Sequence, residues 1–335
     1  MQKIIRSDSL HSQTVQGVIQ SFYEALRSWD ALRKTSFDAR PPRRLNRYYA
    51  IPFKSSAIML KDGVLTLSTG KNGEPIKIPW KFTRPKVCEI SFSRGEYILN
   101  AVYAQNTPKE NNGSGCAGVD LGEVHLAAVN TGARTIIFNG RELRSKRRYQ
   151  DKLKAHFRSK MGKCTKRSRK WKRFNNAAAR SMRKIDNQIK DILHKQTTAV
   201  VCAVKADMVQ TVGIGYVSDS RNTARNTPAG KVKQLIIYKA KRAGMDIELI
   251  NERDTSQICP KCGLRNKPEN RNYECAQCGL SYHRDGVGAI NIRSRTLYRE
   301  ITPVVGEMTP PVGIRYYADT SRTSAHSAHR SAGIA

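Results

Sequence analysis

Apolar and polar positions divide the chain into a helical start, a β-rich stretch and a longer mixed half. In LHSQTVQGVIQSFYEALRSWDALRKT, residues 10 to 35, Val15, Val18, Ile19, Phe22, Ala25, Leu26 and Trp29 share a helical period. That pattern predicts an amphipathic helix. From Tyr48 to Tyr103 the period shortens. AIML, VLTLS, IKIPW, VCEISFS and YILNAVYA are separated by the turn signals KDG, GKNGEP and SRGE. A small antiparallel sheet or barrel is expected there. The polar, glycine-rich KENNGSG (109 to 115) marks a linker and a domain boundary.

Beyond the linker, CAGVDLGEVHLAAVN reads as a strand, a glycine-flanked Asp120 and a second strand, with TIIFNG as a third at hairpin distance. Leu153, Phe157 and Met161 step by four. Met182, Ile185, Ile189 and Ile192 step by three and four. Two helices are therefore expected, joined by a turn at TKRSRKWK. A strand over Asp207–Ile214, a helix over Lys231–Ala243, a strand at Ile247–Ile250 and a helix through Gly288–Ile292 complete the pattern. Hairpin strands followed by alternating helices and strands predict an α/β fold around a mixed sheet. After about Thr302 the chain is rich in Pro, Ser, Thr, Ala and His, and a largely disordered tail is expected.

Charge narrows the partners. The 335 residues carry 60 Lys and Arg against 27 Asp and Glu, a net +33. Such an excess repels itself unless a polyanion shares the space, so nucleic acid is the expected partner. No long apolar run or signal peptide points to a membrane, and the segment Thr198–Val204 is too short to span one. Residues 141 to 184 hold 19 Lys or Arg against Glu142 and Asp151 alone. Lys146, Arg147, Arg148, Lys166, Arg167, Arg169, Lys170, Lys172 and Arg173 are the candidate phosphate contacts. Trp171 among them either stacks on a base or packs in the core. A solvated hairpin without a ligand is the bland alternative. The scattered Cys88, Cys116, Cys164 and Cys202 suggest reduced thiols, hence a cytoplasmic, nucleoid-associated protein.

Two Cys-x-x-Cys pairs, Cys259/Cys262 and Cys275/Cys278, have the spacing of a tetrahedral Zn2+ site. Gly263 and Gly279 each follow a pair, where a tight turn favours positive φ. Four thiolates leave no open position, so this zinc is structural. Unrelated cysteines or a disulfide ladder fit the spacing less well. Catalytic chemistry, if any, falls to the acids. Asp120 ends an apolar strand, Glu252 follows Ile247–Ile250, and Asp285 precedes a helix. Three carboxylates on one sheet edge can hold two Mg2+ for phosphodiester cleavage. Each alone has a plainer reading as a turn or helix-cap residue, Asp285 especially.

GVDLG, the T-S-Q-x-C-x-x-C-G ribbon and the closing Tyr282, Asp285, Ala289, Asn291, Ile292 resemble the TnpB (OrfB-type) family of transposon-encoded, RNA-guided nucleases, relatives of type V CRISPR effectors. The resemblance is specific over about residues 115 to 295. It implies an RNase H-like (RuvC) domain over 115–252 and 282–300, with the four-cysteine zinc ribbon inserted at 253–281. A helical recognition-like region (1–47), a β-rich wedge-like region (48–114) and a tail (301–335) would complete the chain. It also implies a guide RNA and a target DNA as partners, with target reading left to base pairing.

By motif position Asp120 matches the family's first catalytic acid and Asp285 its last. The middle acid normally ends a strand like V-V-x-E-D-L. In TVGIGYVSD, Gly215 takes its place. Some members use an acid displaced to just before the ribbon, where Glu252 stands, and Glu252 is preferred here over Asp207 or Asp219. Family members also carry a further N-terminal strand and helix, so a wedge-like sheet short of a strand is expected. Three readings result: a Mg2+-dependent RNA-guided endonuclease, an RNA-guided DNA binder that does not cut, and a plain zinc-ribbon nucleic-acid binder. His283 is read as structural or phosphate-facing and His194 as exposed.

Overall fold

The computed structural model describes residues 9–36, 38–42, 50–104, 113–216, 228–304 and 308–314. Asp219, residues 43–49, most of KENNGSG and the tail beyond Ile314 lie outside the described residues. The chain divides into two compact units, Met1–Asn106 and Thr107–Ala335.

In the first unit helix α1 (Ser12–Arg33) precedes two three-stranded antiparallel sheets. One orders β1 (Ile51–Lys54), β5 (Val87–Ser93) and β6 (Glu96–Val102); the other orders β2 (Ile58–Lys61), β3 (Val64–Leu67) and β4 (Ile76–Pro79). Their core is Phe53, Ala57, Ile58, Leu65, Leu67 and Cys88. Two of the expected turns are tight hairpins. Asp62-Gly63 joins β2 to β3 and Arg94-Gly95 joins β5 to β6, all four residues at positive φ, the backbone that two-residue hairpin loops require.

Helix α1 differs from expectation in the face it packs. Thr14 and Gly17 are buried, while Val18 and Phe22 of the apolar stripe are 47% and 53% exposed. Gly17 lies so close to Pro52 that a Cβ there would come within 2.8 Å of its ring. Close backbone approach, rather than the apolar stripe, sets the docking face.

The second unit is built on one six-stranded sheet. Strands β7 (Gly115–Asp120), β8 (His125–Asn130) and β9 (Thr135–Asn139) pair antiparallel. Strand β10 (Val209–Tyr216) runs parallel to β7, and β11 (Asp246–Asn251) parallel to β10. Helices α2 (Arg141–Gly162) and α3 (Arg169–Ala206) follow the hairpins, α4 (Pro228–Arg242) joins β10 to β11, and α5 (Arg284–Tyr298) closes the domain. Strands β12 (Asn272–Glu274) and β13 (Ser281–His283) form a small hairpin between β11 and α5. This is the RNase H-like arrangement expected for the second half.

Alternation along the central strands assigns the two faces of the sheet. Ala117, Val119, Val212 and Ile214 join the main core with Ile185, Ile189 and Ile192 of α3 and Val232 and Ile236 of α4. Intervening positions are small: Gly118, Gly213, Gly215 and Ala128. Here α5 lies against the strands. A Cβ on Gly118 would meet Ala289 O at 2.2 Å and Arg293 N at 2.3 Å; one on Gly213 would meet Thr296 Oγ1 at 1.9 Å. The glycines of GVD and GIG thus let a helix backbone lie directly on the sheet.

Two expectations are corrected. Part of the TKRSRKWK turn is helical: α3 begins at Arg169, with Ser168 Oγ accepting from Trp171 N. The N-cap bond recruits the run after Ser168 into the helix. The tail is not wholly irregular either. Val312–Ile314 forms β14, a sixth strand parallel to β9. Among the described residues no helix is long and apolar enough to cross a membrane.

Candidate functional site

The ribbon draws its four cysteines from one short stretch, and their cluster packs against Val287 and Ile290 of α5 and against Val304 and Met308. Cys259 Sγ lies 3.6 Å from Cys278 Sγ, and Cys262 Sγ 3.5 Å from Cys275 Sγ. All four sulfurs lie within 4.8 Å of one another. Zn–S bonds of about 2.3 Å in a tetrahedron separate sulfurs by about 3.8 Å, so the set fits a zinc ion. Both knuckles use the same turn: Gly263 N donates to Cys259 O and Gly279 N to Cys275 O, with φ of +77° and +66°. Fully buried Tyr273 packs behind them and donates its hydroxyl to Gln257 O. Burial raises the Cys275 thiol, but the backbone N–H groups of Cys278 and Gln277 and the neighbouring thiols of Cys262 and Cys278 leave it lowered, while burial leaves Cys259 raised.

Asp120, Glu252 and Asp285 line one cleft of about 520 Å³. Asp120 ends β7, Glu252 follows β11, and Asp285 opens α5. Each comes from a different element, at the edge where β7 and β11 end. Burial, then the charges of Asp285 and Glu252, push the Asp120 carboxyl up to about 8, only partly offset by Arg284. Burial also raises Glu252, against the pull of Lys233. At Asp285 burial acts upward, but the hydrogen bond from His125 and the charges of His283, His125 and Arg271 leave it lowered. The raised Asp120 thus reflects both its burial and the two other carboxylates of the cleft.

Glu252 occupies the space that Gly215 leaves. A Cβ on Gly215 would stand 2.8 Å from Glu252 Oε2 and 2.8 Å from Ile292 Cδ1. Asp207, the described alternative to Glu252, is committed elsewhere: it accepts from Arg134 Nε (2.9 Å) and Nη2 (2.8 Å) and from Thr131 Oγ1 (2.7 Å).

Two cleft residues escaped the sequence reading. His125 Nδ1 lies 2.7 Å from Asp285 Oδ2, and Arg271 Nη1 donates to that oxygen at 3.0 Å. Arg271 reaches in from the ribbon's edge, next to β12. The only sequence cue was a histidine five residues after Asp120 and an arginine just ahead of the second cysteine pair. His283 is structural: its Nδ1 accepts from Asp285 N at the start of α5, so Asp285 is not itself the cap. His194 is exposed on α3, as expected.

The basic hairpin of α2 and α3 presents Arg148, Lys166, Arg167, Arg169, Lys170, Lys172 and Arg173 to solvent, with Lys146 and Trp171 half-buried. Arg147 is also half-buried: its Nε has no hydrogen-bond partner among the described residues, and burial lowers its pKa.

Fold, ribbon and cleft define an α/β protein with the fold of RuvC-containing effectors and a four-cysteine ribbon. A Cas12f1, solved as a complex with single guide RNA and target DNA, shares that fold at a TM-score of 0.55 and 14% identity, over 84% of this chain and 70% of that one. A family model described as a probable transposase (OrfB, IS605) matches residues 100–221, and one described as Cas12f1-like, TNB domain matches 230–292. A TnpB-like protein of Methanocaldococcus jannaschii is 40% identical over 63 residues, 18% of this chain. The chain spans about a quarter, 23%, of that relative's length. Together these matches support a TnpB-type protein.

Proposed function

We propose that the protein is a transposon-associated, RNA-guided DNA endonuclease whose reaction centre is Asp120, Glu252 and Asp285. The observation that carries this reading is the convergence of three carboxylates, from β7, β11 and α5, on one cleft. Mg2+ fits this donor set, because it takes few carboxylates and keeps its remaining positions for water and phosphate oxygens. When bound, it supplies an activated water and charge stabilisation for the leaving oxygen of a phosphodiester. Asp120 and Asp285 are held by strand end and helix start, and Glu252 completes the set from the position that Gly215 vacates. His125 fixes one oxygen of Asp285. Arg271, half-exposed and already at the cleft, is placed to meet a phosphate oxygen. The four cysteines hold a structural Zn2+ that keeps Arg271 in reach.

Guide RNA and target DNA are the polyanions that the +33 charge calls for. The exposed cations at the tip of the α2–α3 hairpin would bind phosphates, with Trp171 beside them. The Cas12f1 complex, which contains both nucleic acids, supports this assignment.

The test is cleavage of a plasmid library by protein co-expressed with its flanking RNA, in Mg2+ and in EDTA. Guide-matched, Mg2+-dependent cuts that Glu252→Ala abolishes, with DNA binding retained, are expected. Guide-matched binding without cuts would establish instead a silent DNA binder, the outcome that Gly215 favours. Neutralising Lys166, Arg167, Lys170 and Lys172 should lower the salt dependence of RNA binding by about three in log–log slope, roughly 0.7 for each phosphate no longer paired with a cation.

A further inference from the structure

Glu252 sits one residue beyond the end of β11, where a single bond continues the β10–β11 ladder and the turn from Arg253 begins. Further anchors come from α5. Arg295 Nη1 donates to Asn251 O at 2.6 Å and to Arg253 O at 2.8 Å, the carbonyls on either side of Glu252. The carbonyl between them, Glu252 O, accepts from Thr255 N (3.2 Å) and Thr255 Oγ1 (2.8 Å). Thr255 is in turn held by Asn291, whose Nδ2 donates to Thr255 O and Ile258 O, both at 2.7 Å. Glu252 N donates to Tyr216 O at 3.1 Å, tying the turn to the end of β10. Asn291 and Thr255 are buried, so the bonds between them are shielded from water, while those of Arg295 lie at the surface.

We propose that Arg295 and Thr255, the latter held in turn by Asn291, are positioning residues that set the place of Glu252, so that one helix orients two of the three acids. Asp285 rides on the first turn of α5, and the same helix grips the turn that carries Glu252. Glutamate has one more rotatable bond than aspartate, so a displaced acid needs a fixed backbone to present its carboxylate within the tolerance of a metal site. An arginine whose donors go to two flanking carbonyls, rather than to a carboxylate, is suited to fixing a peptide path. The inference rests on the reading of Glu252 as the middle acid.

The test uses the guide-loaded protein and four variants: Arg295→Met, which keeps the aliphatic stem; Arg295→Lys; Thr255→Val, which deletes one hydroxyl at constant shape; and Glu252→Ala. Mn2+ affinity is read by EPR, cutting is followed against Mg2+ concentration, and matched-DNA affinity and zinc content serve as controls. Arg295→Met should weaken Mn2+ binding and raise the half-maximal Mg2+ about tenfold, the low end for loss of a group that orients a metal ligand. DNA affinity and zinc content should stay level. Arg295→Lys should recover part of the loss, and Thr255→Val should show a smaller shift in the same direction. If Arg295→Met does not fold, Thr255→Val decides. Wild-type metal dependence in Arg295→Met and Thr255→Val, beside a Glu252→Ala that has lost Mn2+ affinity and cutting, overturns the positioning role and leaves Glu252 in place. Unchanged Mn2+ affinity and cutting in Glu252→Ala would sink the reading beneath it as well.

Discussion

The zinc ribbon and the acid cleft are neighbours in space but are specified in opposite ways. The ribbon's four sulfurs come from Cys259 to Cys278, within one short stretch, and two copies of the same glycine turn bring them together. The cleft draws Asp120, Glu252 and Asp285 from three elements, and no local rule brings them together. Their meeting depends on glycines beneath α5 that let the helix lie on β7 and β10. The ribbon's sulfurs are gathered by local turns at a spacing that fits one ion, with α5 packed behind them, whereas the cleft is assembled from distant elements by packing. Perturbing each should therefore damage a different thing.

Removal of zinc is the largest perturbation. Structural zinc contributes on the order of 10 kcal/mol of folding free energy to small ribbons. Chelation, or Cys259→Ser, should abolish hydrogen-exchange protection over residues 255–283 and leave β7, β8 and β9 protected. Equal loss of protection across those strands would mean that the ribbon is a load-sharing part of the core, and the comparison would fail. Next is Gly118→Ala. The added methyl meets backbone atoms of Ala289 and Arg293, which no rotamer change relieves. A loss of about 3 kcal/mol in urea unfolding is expected, the upper range for overpacking, with zinc content unchanged.

This division also explains what the sequence disclosed. The cysteine spacing, the positive-φ glycines after each pair and the hairpins at KDG and SRGE are local features, and local chemistry determines them. Asp120 and Asp285 were legible because each sits in a motif at an element's end. Glu252 was legible as a candidate only; that it fills the void of Gly215 follows from the pairing of Gly215 with Ile250 across β10 and β11. His125 and Arg271 were silent, since their partner Asp285 lies 160 and 14 residues away and neither stands in a recognisable pattern. The face of α1 was misread because the burial of Gly17 against Pro52 overrides an apolar stripe. Strand β14 was missed because Val312–Ile314 is too short to carry a period.

A swap tests the shared space of Gly215 and Glu252. Gly215→Glu alone must displace Glu252 or Ile292, at an expected cost of about 2 kcal/mol. In the Glu252→Ala background one of the two obstacles is gone, so part of that cost should vanish, a coupling of about 1 kcal/mol in a double-mutant cycle. Ile292 still crowds the site, so full recovery is not expected. Strict additivity would show that the two side chains do not compete.

The smallest effect separates the regions most sharply, because it makes the same chemical change for a different reason. Gly279 has φ +66° and, among the described residues, nothing within 4 Å of the place a methyl would take, whereas Gly118 is crowded by backbone. Gly279→Ala therefore meets only a conformational penalty, about 1 kcal/mol for a non-glycine residue in the left-handed region. Zinc affinity should fall about fivefold, since about 1.4 kcal/mol is a factor of ten. Asparagine tolerates that backbone better than alanine, so Gly279→Asn should recover part of the loss. At Gly118 the order must reverse, because asparagine is the larger side chain and space is what is lacking. Competition with a chromophoric zinc chelator measures the first pair and urea unfolding the second. If asparagine were worse than alanine at both positions, sterics would govern the ribbon's turn too, and the contrast between a local turn and a packed helix would be disproved.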